Sequence, residues 1–265
     1  MSTSETAVAR WTDRSRLREG PYVELSPRRV RAYFGGELVV DSSRALLVYE
    51  SRRPPIYWFP TSDVRTDLLT RKEGAAATDS DTVRWRLEVK GKVAENAAWS
   101  YEPARPGLDA LSGHVAFVWD RMDSWFEEDE EVFVHPRDPY SRVDTVHSSR
   151  HVRVEIEGTV VAETRRPVLL FETGLPVRYY IPKQDVRMDL LEATPTHTRC
   201  PYKGVASYWS ATVGGKRFDD IVWAYPTPIP EIPKIANLLS FYNERVDIFV
   251  DGEPERLGKP RGAHS

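Results

Sequence analysis

The chain contains an internal repeat, which constrains its architecture more than any other feature of the sequence. Residues 30–69 align without a gap on residues 152–191, an offset of 152 − 30 = 122, with 16 identities in 40 positions. Composition alone would give about two or three identities over such a stretch. The sequence is therefore predicted to hold two copies of one domain of about 110 residues. The match resumes at an offset of 124, where it pairs Trp85 with Trp209, Trp99 with Trp223, Tyr101 with Tyr225, Phe117 with Phe241 and Asp123 with Asp247.

Composition fits two cytosolic domains and argues against a nucleic-acid partner. The chain has 265 residues, and each predicted copy is long enough to bury a core of its own. Lys and Arg number 37 against 40 Asp and Glu, a net charge of −3, and no basic stripe alternates with aromatic residues. One cysteine excludes an internal disulfide and suits a reducing compartment. With no apolar run suited to a signal peptide or a membrane span, we expect a cytoplasmic protein without a membrane partner.

Apolar and polar residues alternate on both sides of glycine turns, the pattern of antiparallel β-hairpins. In the first copy, residues 83–90 and 93–99 flank a Gly-Lys turn. The second copy repeats the pattern with residues 206–213 and 216–223 around a Gly-Gly turn. The fold is therefore predicted to be mainly β, with small antiparallel sheets.

Each copy is also predicted to contain one short helix. Pro233 suits a first helical turn, and Ile232, Ile235 and Leu239 share one helical face. Apolar residues over 108–122 have a similar spacing in the first copy. The predicted domain boundaries are a tail at residues 1–20, a first copy at 21–127, a linker at 128–150, a second copy at 151–252 and a tail at 253–265.

The two copies differ most in the segment that precedes Trp209. The second copy carries a polar stretch at residues 194–208 that includes Cys200 and Lys203. The first copy has residues 71–78 there, without cysteine, and its whole segment between Leu69 and Trp85 is two residues shorter than the one between Leu191 and Trp209. Long polar loops on a rigid β scaffold often carry function, so the sequence predicts a functional loop in the second copy.

Several motifs together resemble the bacterial domain-of-unknown-function family 427. They lie at residues 179–191, 200–204 and 208–209 in the second copy and at residues 95–101 in the first. The resemblance implies a β-tent, in which two small antiparallel sheets are pinned along one edge with an opening between them. The ligand-binding domain of cereblon shares this fold and lines its pocket with aromatic residues. The resemblance therefore implies a binding role but no settled activity.

Neither copy carries every motif of that family. The first copy lacks the Cys-Pro-x-Lys-Gly run of residues 200–204, and the second has Asp219-Asp220 where the first has Glu95-Asn96. Two arrangements stay open: the motifs form one site within a copy, or they meet across the two copies.

Cys200 allows two interpretations. Beside His197, Arg199 and Lys203, its thiol could act as a nucleophile. Alternatively, it is a small, half-buried residue next to a proline turn. Zinc is not expected, because a structural site needs four ligands and the sequence offers one cysteine and no second His/Cys pair of suitable spacing. No cofactor is expected.

An Asp-x-Arg-x-Asp motif occurs in both copies, three residues after a proline. Paired carboxylates can bind a metal or divide acid and base work. However, an Asp at a turn or helix start satisfies backbone donors, and an Arg between two Asp residues forms an ion pair. A structural role is favoured for these six residues: Asp63, Arg65, Asp67, Asp185, Arg187 and Asp189.

Aromatic residues recur at equivalent positions of the two copies, which predicts one aromatic cluster in each. Such rings either fill a core or form a cage for a flat or cationic small molecule, and both interpretations stay open. Arg178 and Lys203 would supply charge-assisted contacts to an anionic or carbonyl group. The candidate ring residues are Trp58, Trp85, Trp99, Tyr101, Tyr180, Trp209, Trp223 and Tyr225.

The leading hypothesis is a cytosolic small-molecule-binding protein, a monomer with pseudo-twofold-related repeats, whose working pocket lies in the second copy. One alternative is an enzyme that uses Cys200 as nucleophile, with Lys203 stabilising negative charge. The other is a protein-interaction module with vestigial pockets. The pocket is predicted to be lined by Cys200, Tyr202, Lys203, Trp209, Trp223 and Tyr225.

Overall fold

The computed structural model describes residues 21–50, 54–72, 81–103, 105 and 107–255. The chain divides between Asp138 and Pro139 into two compact units, hereafter the first and second repeats. The predicted tail at residues 1–20, and residues 256–265 of the other predicted tail, lie outside the described residues.

The first repeat consists of short strands joined mainly by tight turns, as its alternating pattern predicts. Its strands are β1 (Tyr22–Leu25), β2 (Val30–Phe34), β3 (Glu37–Ser42), β4 (Leu46–Tyr49), β5 (Ile56–Pro60), β6 (Leu69–Arg71), β7 (Thr82–Val89), β8 (Lys92–Tyr101), β9 (His114–Phe117), β10 (Ser124–Glu127) and β11 (Glu130–Val132). Its 3-10 turns are Thr61–Asp63, Thr66–Leu68, Asp109–Leu111 and Trp119–Arg121.

The second repeat has almost the same succession of elements. Its strands are β12 (Val143–His147), β13 (Val152–Ile156), β14 (Thr159–Thr164), β15 (Val168–Glu172), β16 (Arg178–Tyr180), β17 (Leu191–Cys200), β18 (Gly204–Val213), β19 (Lys216–Ala224), β20 (Leu239–Phe241), β21 (Asp247–Val250) and β22 (Glu253–Pro254). Its 3-10 turns are Lys183–Asp185, Met188–Leu190 and Pro233–Ile235.

Both repeats share one sheet topology. In the first, a long antiparallel sheet has the order β1-β4-β5-β9-β8-β7-β6, and a smaller sheet has the order β11-β10-β2-β3. In the second, β12-β15-β16 is joined to β20-β19-β18-β17 by two backbone hydrogen bonds between Ile181 and Leu239, of 2.7 and 2.9 Å. Strands β14-β13-β21-β22 form the counterpart of the smaller sheet. The prediction of a mainly β tandem fold with small antiparallel sheets is confirmed.

The long sheet of each repeat buries side chains on both faces. Trp58 and Phe59 are adjacent in β5 yet enter different apolar clusters, because successive side chains of a strand point to opposite faces. Tyr180 and Ile181 divide in the same way in the second repeat. The smaller cluster of each repeat contains most of the predicted site aromatics.

Short strands lie inside the predicted linker at residues 128–150 and the predicted tail at residues 253–265. β11 and β12 fall within residues 128–150, and each pairs with a strand of its own repeat. β22 falls within residues 253–265, and the hydroxyl of Tyr179 donates a hydrogen bond to the Glu255 carboxylate just beyond it. Strands of two to five residues, some of them polar, carry too few alternations to be recognised from sequence.

The predicted short helices are 3-10 turns. The turn of the second repeat begins at Pro233, as expected, but is only Pro233–Ile235. In the first repeat, the apolar residues over 108–122 divide between two 3-10 turns and strand β9. Their spacing therefore reflects alternation on a strand flanked by turns rather than a helical face. No helix among the described residues is long and apolar enough to span a membrane.

Candidate functional site

Strand register sorts the predicted site residues of the second repeat onto two faces. Thr198 pairs with Ala206, and Tyr208 pairs with Trp223. Because paired residues share a face and residues two apart along a strand do so too, Cys200 lies on this same face. The segment predicted as a loop is thus the end of β17, a turn and the start of β18, since its alternating small polar residues pair as an antiparallel hairpin.

The structure separates Trp209 from Trp223. Trp209 pairs with Val222 and packs on the larger cluster, with the ammonium group of Lys183 5.6 Å from its ring centre. Trp85 in the first repeat likewise packs on the larger cluster, and its indole N–H donates to the Ser100 hydroxyl at 3.2 Å. These two tryptophans therefore do not share a site with the other aromatic candidates.

The aromatic cluster of the second repeat combines rings with polar tips. The indole N–H of Trp223 donates to the Tyr180 hydroxyl at 3.2 Å, and the Trp223 and Tyr242 rings are 4.5 Å apart. The Tyr208 hydroxyl lies 2.7 Å from the Thr198 hydroxyl. Tyr180, Trp223 and Tyr225 were predicted to lie at the site, whereas Tyr208 and Tyr242 were not. Tyr208 could have been found as the cross-strand partner of Trp223.

Lys203 forms an ion pair with Glu172, and both side chains are largely buried, with exposed fractions of 13% and 9%. Glu172 is the equivalent of Glu50, at the offset of 122. In the first repeat, Glu50 accepts a hydrogen bond of 3.1 Å from the hydroxyl of Tyr101. The equivalent tyrosine of the second repeat, Tyr225, makes no such bond. Lys203 thus takes the carboxylate that the first repeat uses for its tyrosine.

Two tyrosines of the second repeat have buried rings and hydroxyls that donate to no described residue. Tyr225 is 5% exposed, and its hydroxyl forms no hydrogen bond within the part of the chain that the structure describes. The Tyr180 hydroxyl accepts from Trp223 but has no acceptor for its own hydrogen among the described residues. Burial raises the pKa of both phenols, so both stay protonated at neutral pH. Glu172 and Cys200 contribute smaller increases to the pKa of both phenols.

The turn after Cys200 holds the predicted motif residues in place. The backbone N–H of Lys203 donates to the Cys200 carbonyl at 3.2 Å, and Tyr202 is half-buried between them. Gly204 has φ +104°, and a Cβ there would lie 3.1 Å from the Thr227 carbonyl oxygen, which explains the glycine. The thiol of Cys200 is half-buried. Across the described ranges, no three His, Cys, Asp or Glu side chains group as metal ligands.

Arg178 lies at the edge of the cluster, with its guanidinium 5.6 Å from the Trp223 ring centre. It forms a bidentate pair with Glu244, at 2.9 and 2.8 Å, and also donates to the Asn243 amide oxygen at 2.9 Å. The charge of Arg178 is therefore neutralised within the protein, as is the charge of Lys203.

The first repeat has an equivalent cluster with different polar contacts. Trp58 lies 4.9 Å from the Tyr101 ring and 5.8 Å from the Trp99 ring. Arg105 stacks 4.4 Å above the centre of the Tyr101 ring, and the Tyr101 hydroxyl is bound to Glu50. Most of the first-copy segment that aligns with the Cys200 turn, at residues 73–80, lies outside the described residues.

The Asp-x-Arg-x-Asp motifs make the same contacts in both repeats. Asp63 accepts from the Ser42 hydroxyl at 2.7 Å and pairs with Arg44. Asp185 accepts from the Thr164 hydroxyl at 2.6 Å and pairs with Arg166 at 3.1 Å. The remaining arginine and aspartate of each motif form an exposed pair, Arg65 with Asp67 and Arg187 with Asp189. These contacts tie each motif to the hairpin β2–β3 or β13–β14.

Replacing Asp185 with asparagine is expected to lower the free energy of unfolding at neutral pH by about 1 kcal/mol. The hydrogen bond from Arg166 lowers the pKa of Asp185, so its contribution is present above the unfolded-state pKa and is lost as pH falls through the folded-state pKa. Urea unfolding at about pH 7 and about pH 3 should show the variant and the parent converging in acid. The exposed Asp189→Asn variant is the control, and an equal effect there would contradict this assignment.

A groove elsewhere in the second repeat has a volume of about 450 Å³. It lies beside β14 and the Lys183–Asp185 turn, contains no residue of the aromatic cluster and is open to solvent. Its charged groups are largely satisfied, because Arg166 pairs with Asp185 and the His151 imidazole lies 2.7 Å from the Glu163 carboxylate. Its size alone does not make it the better candidate, since the aromatic face carries the unused donors. The groove is lined by His151, Glu163, Thr164, Arg165, Arg166 and Asp185.

The motif pair Glu95-Asn96 and Asp219-Asp220 occupies a β-bulge in each repeat. Asn96 has φ 51° and Asp220 has φ 47°, beside register shifts in β7–β8 and β18–β19. Asn and Asp both tolerate this left-handed conformation better than other non-glycine residues. Both copies therefore place a residue that tolerates positive φ at the bulge, so the sequence difference between them keeps the backbone conformation.

Comparison with known families agrees with the duplicated architecture. A family model described as Domain of unknown function (DUF427) matches residues 22–128 and residues 144–252. Each matched segment contains one aromatic cluster and one Asp-x-Arg-x-Asp motif. No curated protein matches the sequence.

Proposed function

The chain belongs to the family described as Domain of unknown function (DUF427), with two copies of its domain, and we propose that the second copy binds a small uncharged carbonyl compound. The observation that carries the proposal is Tyr225, whose ring is buried in the aromatic cluster while its hydroxyl donates to no acceptor among the described residues. A carbonyl oxygen held against the aromatic rings would give this hydroxyl an acceptor, a hydrogen bond worth about 0.5–1.5 kcal/mol.

The surrounding groups favour an uncharged ligand with a flat apolar part. Both nearby cations are paired with carboxylates, Lys203 with Glu172 and Arg178 with Glu244, so neither offers an unpaired charge to an anion. The two phenols Tyr180 and Tyr225 remain as neutral donors. Aromatic walls give a flat ligand contact area, and a carbonyl oxygen can accept from both hydroxyls.

The first repeat differs because its equivalent tyrosine hydroxyl is already used, and the unpaired donor of its cluster is the fully buried indole N–H of Trp58. Tyr101 donates to Glu50, whereas Lys203 prevents the same arrangement at Tyr225. The Cys-Pro-x-Lys-Gly sequence that supplies Lys203 occurs in the second copy alone. We place this activity in the cytosol, where a reducing environment keeps the single thiol free.

Benzamide, a flat neutral carbonyl compound, is a suitable probe for this site. We expect saturation-transfer NMR to detect its binding to the intact protein, and we expect Tyr225→Phe to weaken that binding about tenfold through loss of one hydrogen bond. The matched control is Tyr101→Phe, which removes the equivalent hydroxyl of the first repeat and should leave the affinity unchanged.

Two results would reject the proposal. One is the absence of benzamide binding to the folded protein, and the other is equal affinity for the parent and Tyr225→Phe. A native mass spectrum of protein purified gently from a cell extract provides an independent check. An added mass that Tyr225→Phe loses and Tyr101→Phe keeps would support the site.

A further inference from the structure

We propose that the first repeat has a separate site for an aromatic carboxylate, whose ring lies against Trp99 and whose carboxylate binds Arg84. The inference goes beyond the function proposed for the second repeat and does not depend on it. The two sites differ in the repeat that forms them, in the residues that bind and in the charge of the ligand.

The ring of Trp99 is less covered than the ring of its equivalent in the second repeat, Trp223. Trp223 is 7% exposed, and the ring of Tyr242 lies 4.5 Å from its ring. The residue equivalent to Tyr242, at the offset of 124, is the smaller Val118. Trp99 is half-buried, so part of its ring remains available for contact with a flat ligand.

Arg84 lies directly beside this ring. The register of β7–β8 pairs Arg84 with Trp99, in the position that Tyr208 occupies opposite Trp223. Residues paired in this way share one face of the sheet, with their Cβ atoms about 4.5–5.5 Å apart. The Arg84 side chain is half-buried and forms no hydrogen bond or ion pair within the described ranges of the chain. It is therefore a cation on the aromatic face that no carboxylate of the described residues neutralises.

The other rings of the cluster hold Trp99 in place and are themselves covered. The indole N–H of Trp99 donates to the Tyr101 hydroxyl, which in turn donates to Glu50 at 3.1 Å. The guanidinium of Arg105 lies 4.4 Å above the Tyr101 ring, and Trp58 packs edge-on to Trp99 at 5.8 Å. Trp58 is 0% exposed and Tyr101 is 7% exposed. Trp99 is thus the ring of this cluster that a ligand can reach, and its orientation is fixed before a ligand binds.

The polar groups of the cluster that lack a partner are donors, which favours an anionic ligand. They are the guanidinium of Arg84 and the indole N–H of Trp58, neither of which has an acceptor among the described residues. A guanidinium binds a carboxylate through two parallel N–H groups. A cationic ligand would instead be repelled by Arg84. In benzoate the carboxylate is attached directly to the ring, so a ring on Trp99 brings the carboxylate within reach of the neighbouring strand that carries Arg84.

Benzoate tests the site on the intact protein. We expect a saturation-transfer NMR titration to detect its binding, and we expect Arg84→Gln to weaken that binding about tenfold through loss of a charge-assisted pair. The matched control is Arg86→Gln in the same strand. Arg86 is already paired with Glu88 at 2.6 Å and with Glu95 at 3.1 Å, so its loss should leave benzoate affinity unchanged.

A second variant, Val118→Tyr, tests the contact with Trp99 while Arg84 is kept. A tyrosine there is expected to cover the Trp99 ring as Tyr242 covers Trp223, and to weaken benzoate binding about tenfold. Unchanged benzoate affinity in a folded Val118→Tyr protein would overturn the placement of the ligand on Trp99. If Val118→Tyr does not fold, Arg84→Gln decides the question alone.

Benzamide separates this inference from the function proposed for the second repeat. Arg84→Gln should leave benzamide affinity unchanged, and Tyr225→Phe should leave benzoate affinity unchanged. Absence of benzoate binding to the folded parent, or equal benzoate affinity for the parent and Arg84→Gln, would overturn the first-repeat site whatever benzamide does. Benzoate binding that Tyr225→Phe weakens and Arg84→Gln does not would place the anion in the second repeat and likewise overturn the inference.

Discussion

Replacing Lys203 with methionine should lower the free energy of unfolding of the second repeat by about 3 kcal/mol. The reason is the carboxylate that remains. Glu172 is 9% exposed, and removal of Lys203 takes an opposite charge away from a carboxylate that water reaches poorly. Urea unfolding of the full chain measures the loss, and hydrogen exchange of the β18–β19 amides assigns it to this repeat. Lys216→Met is the control, because Lys216 and Glu157 form an exposed pair worth about 0–1 kcal/mol.

A double-mutant cycle distinguishes a lost ion pair from lost packing. Glu172→Gln combined with Lys203→Met removes both charges, and we expect the double variant to recover most of the loss. If the double variant loses as much free energy of unfolding as the two single variants together, packing of the Lys203 methylene chain, rather than its charge, stabilises the repeat. In Lys203→Met alone, Glu172 no longer pairs with Lys203, and we expect Tyr225 to donate to its carboxylate as Tyr101 donates to Glu50. Benzamide affinity should then fall although every phenol remains in place.

This ion pair shows what sequence could and could not predict at the site. Lys203 stood out because the second copy carries a chemically rich segment that the first lacks. Its partner did not stand out, since Glu172 aligns with an identical Glu50 and sits at the end of an apolar strand. The carboxylate is shared by both repeats, and only its contacts, with tyrosine in one and with lysine in the other, show that it has two roles.

The fold was easier to predict than the faces of its strands. Duplication and alternation around glycine turns were enough to predict tandem antiparallel β domains. Trp209 was grouped with Trp223 because both are aromatic and match the first copy. Register settles such a question, since a neighbour of Tyr208 must point to the opposite face. Residues 194–200 were predicted as a loop because small polar residues and a proline conceal their pairing as an edge strand.

The bulge in β19 also could not be predicted from the sequence of one copy. Asp219-Asp220 first resembled a departure from the motif Glu95-Asn96. The structure gives Asn96 and Asp220 the same left-handed conformation. The Asp220 carboxylate additionally accepts hydrogen bonds from the Thr194 and Thr196 hydroxyls, at 2.6 and 2.8 Å. What the position requires is a residue that tolerates positive φ, and both copies supply one.

Asp220→Val is therefore expected to lower the free energy of unfolding by about 3 kcal/mol, whereas Asp220→Asn should cost less than about 1 kcal/mol. Valine loses both threonine contacts, and its branched Cβ is strained at φ 47°. Asparagine keeps an acceptor oxygen and already occupies the equivalent position of the first repeat. Urea unfolding of the two variants measures the difference. Equal losses would show that the carboxylate charge, rather than backbone conformation, governs this position. Asn96→Val, which meets the same strain at φ 51° without the threonine contacts, separates the backbone term from the hydrogen bonds.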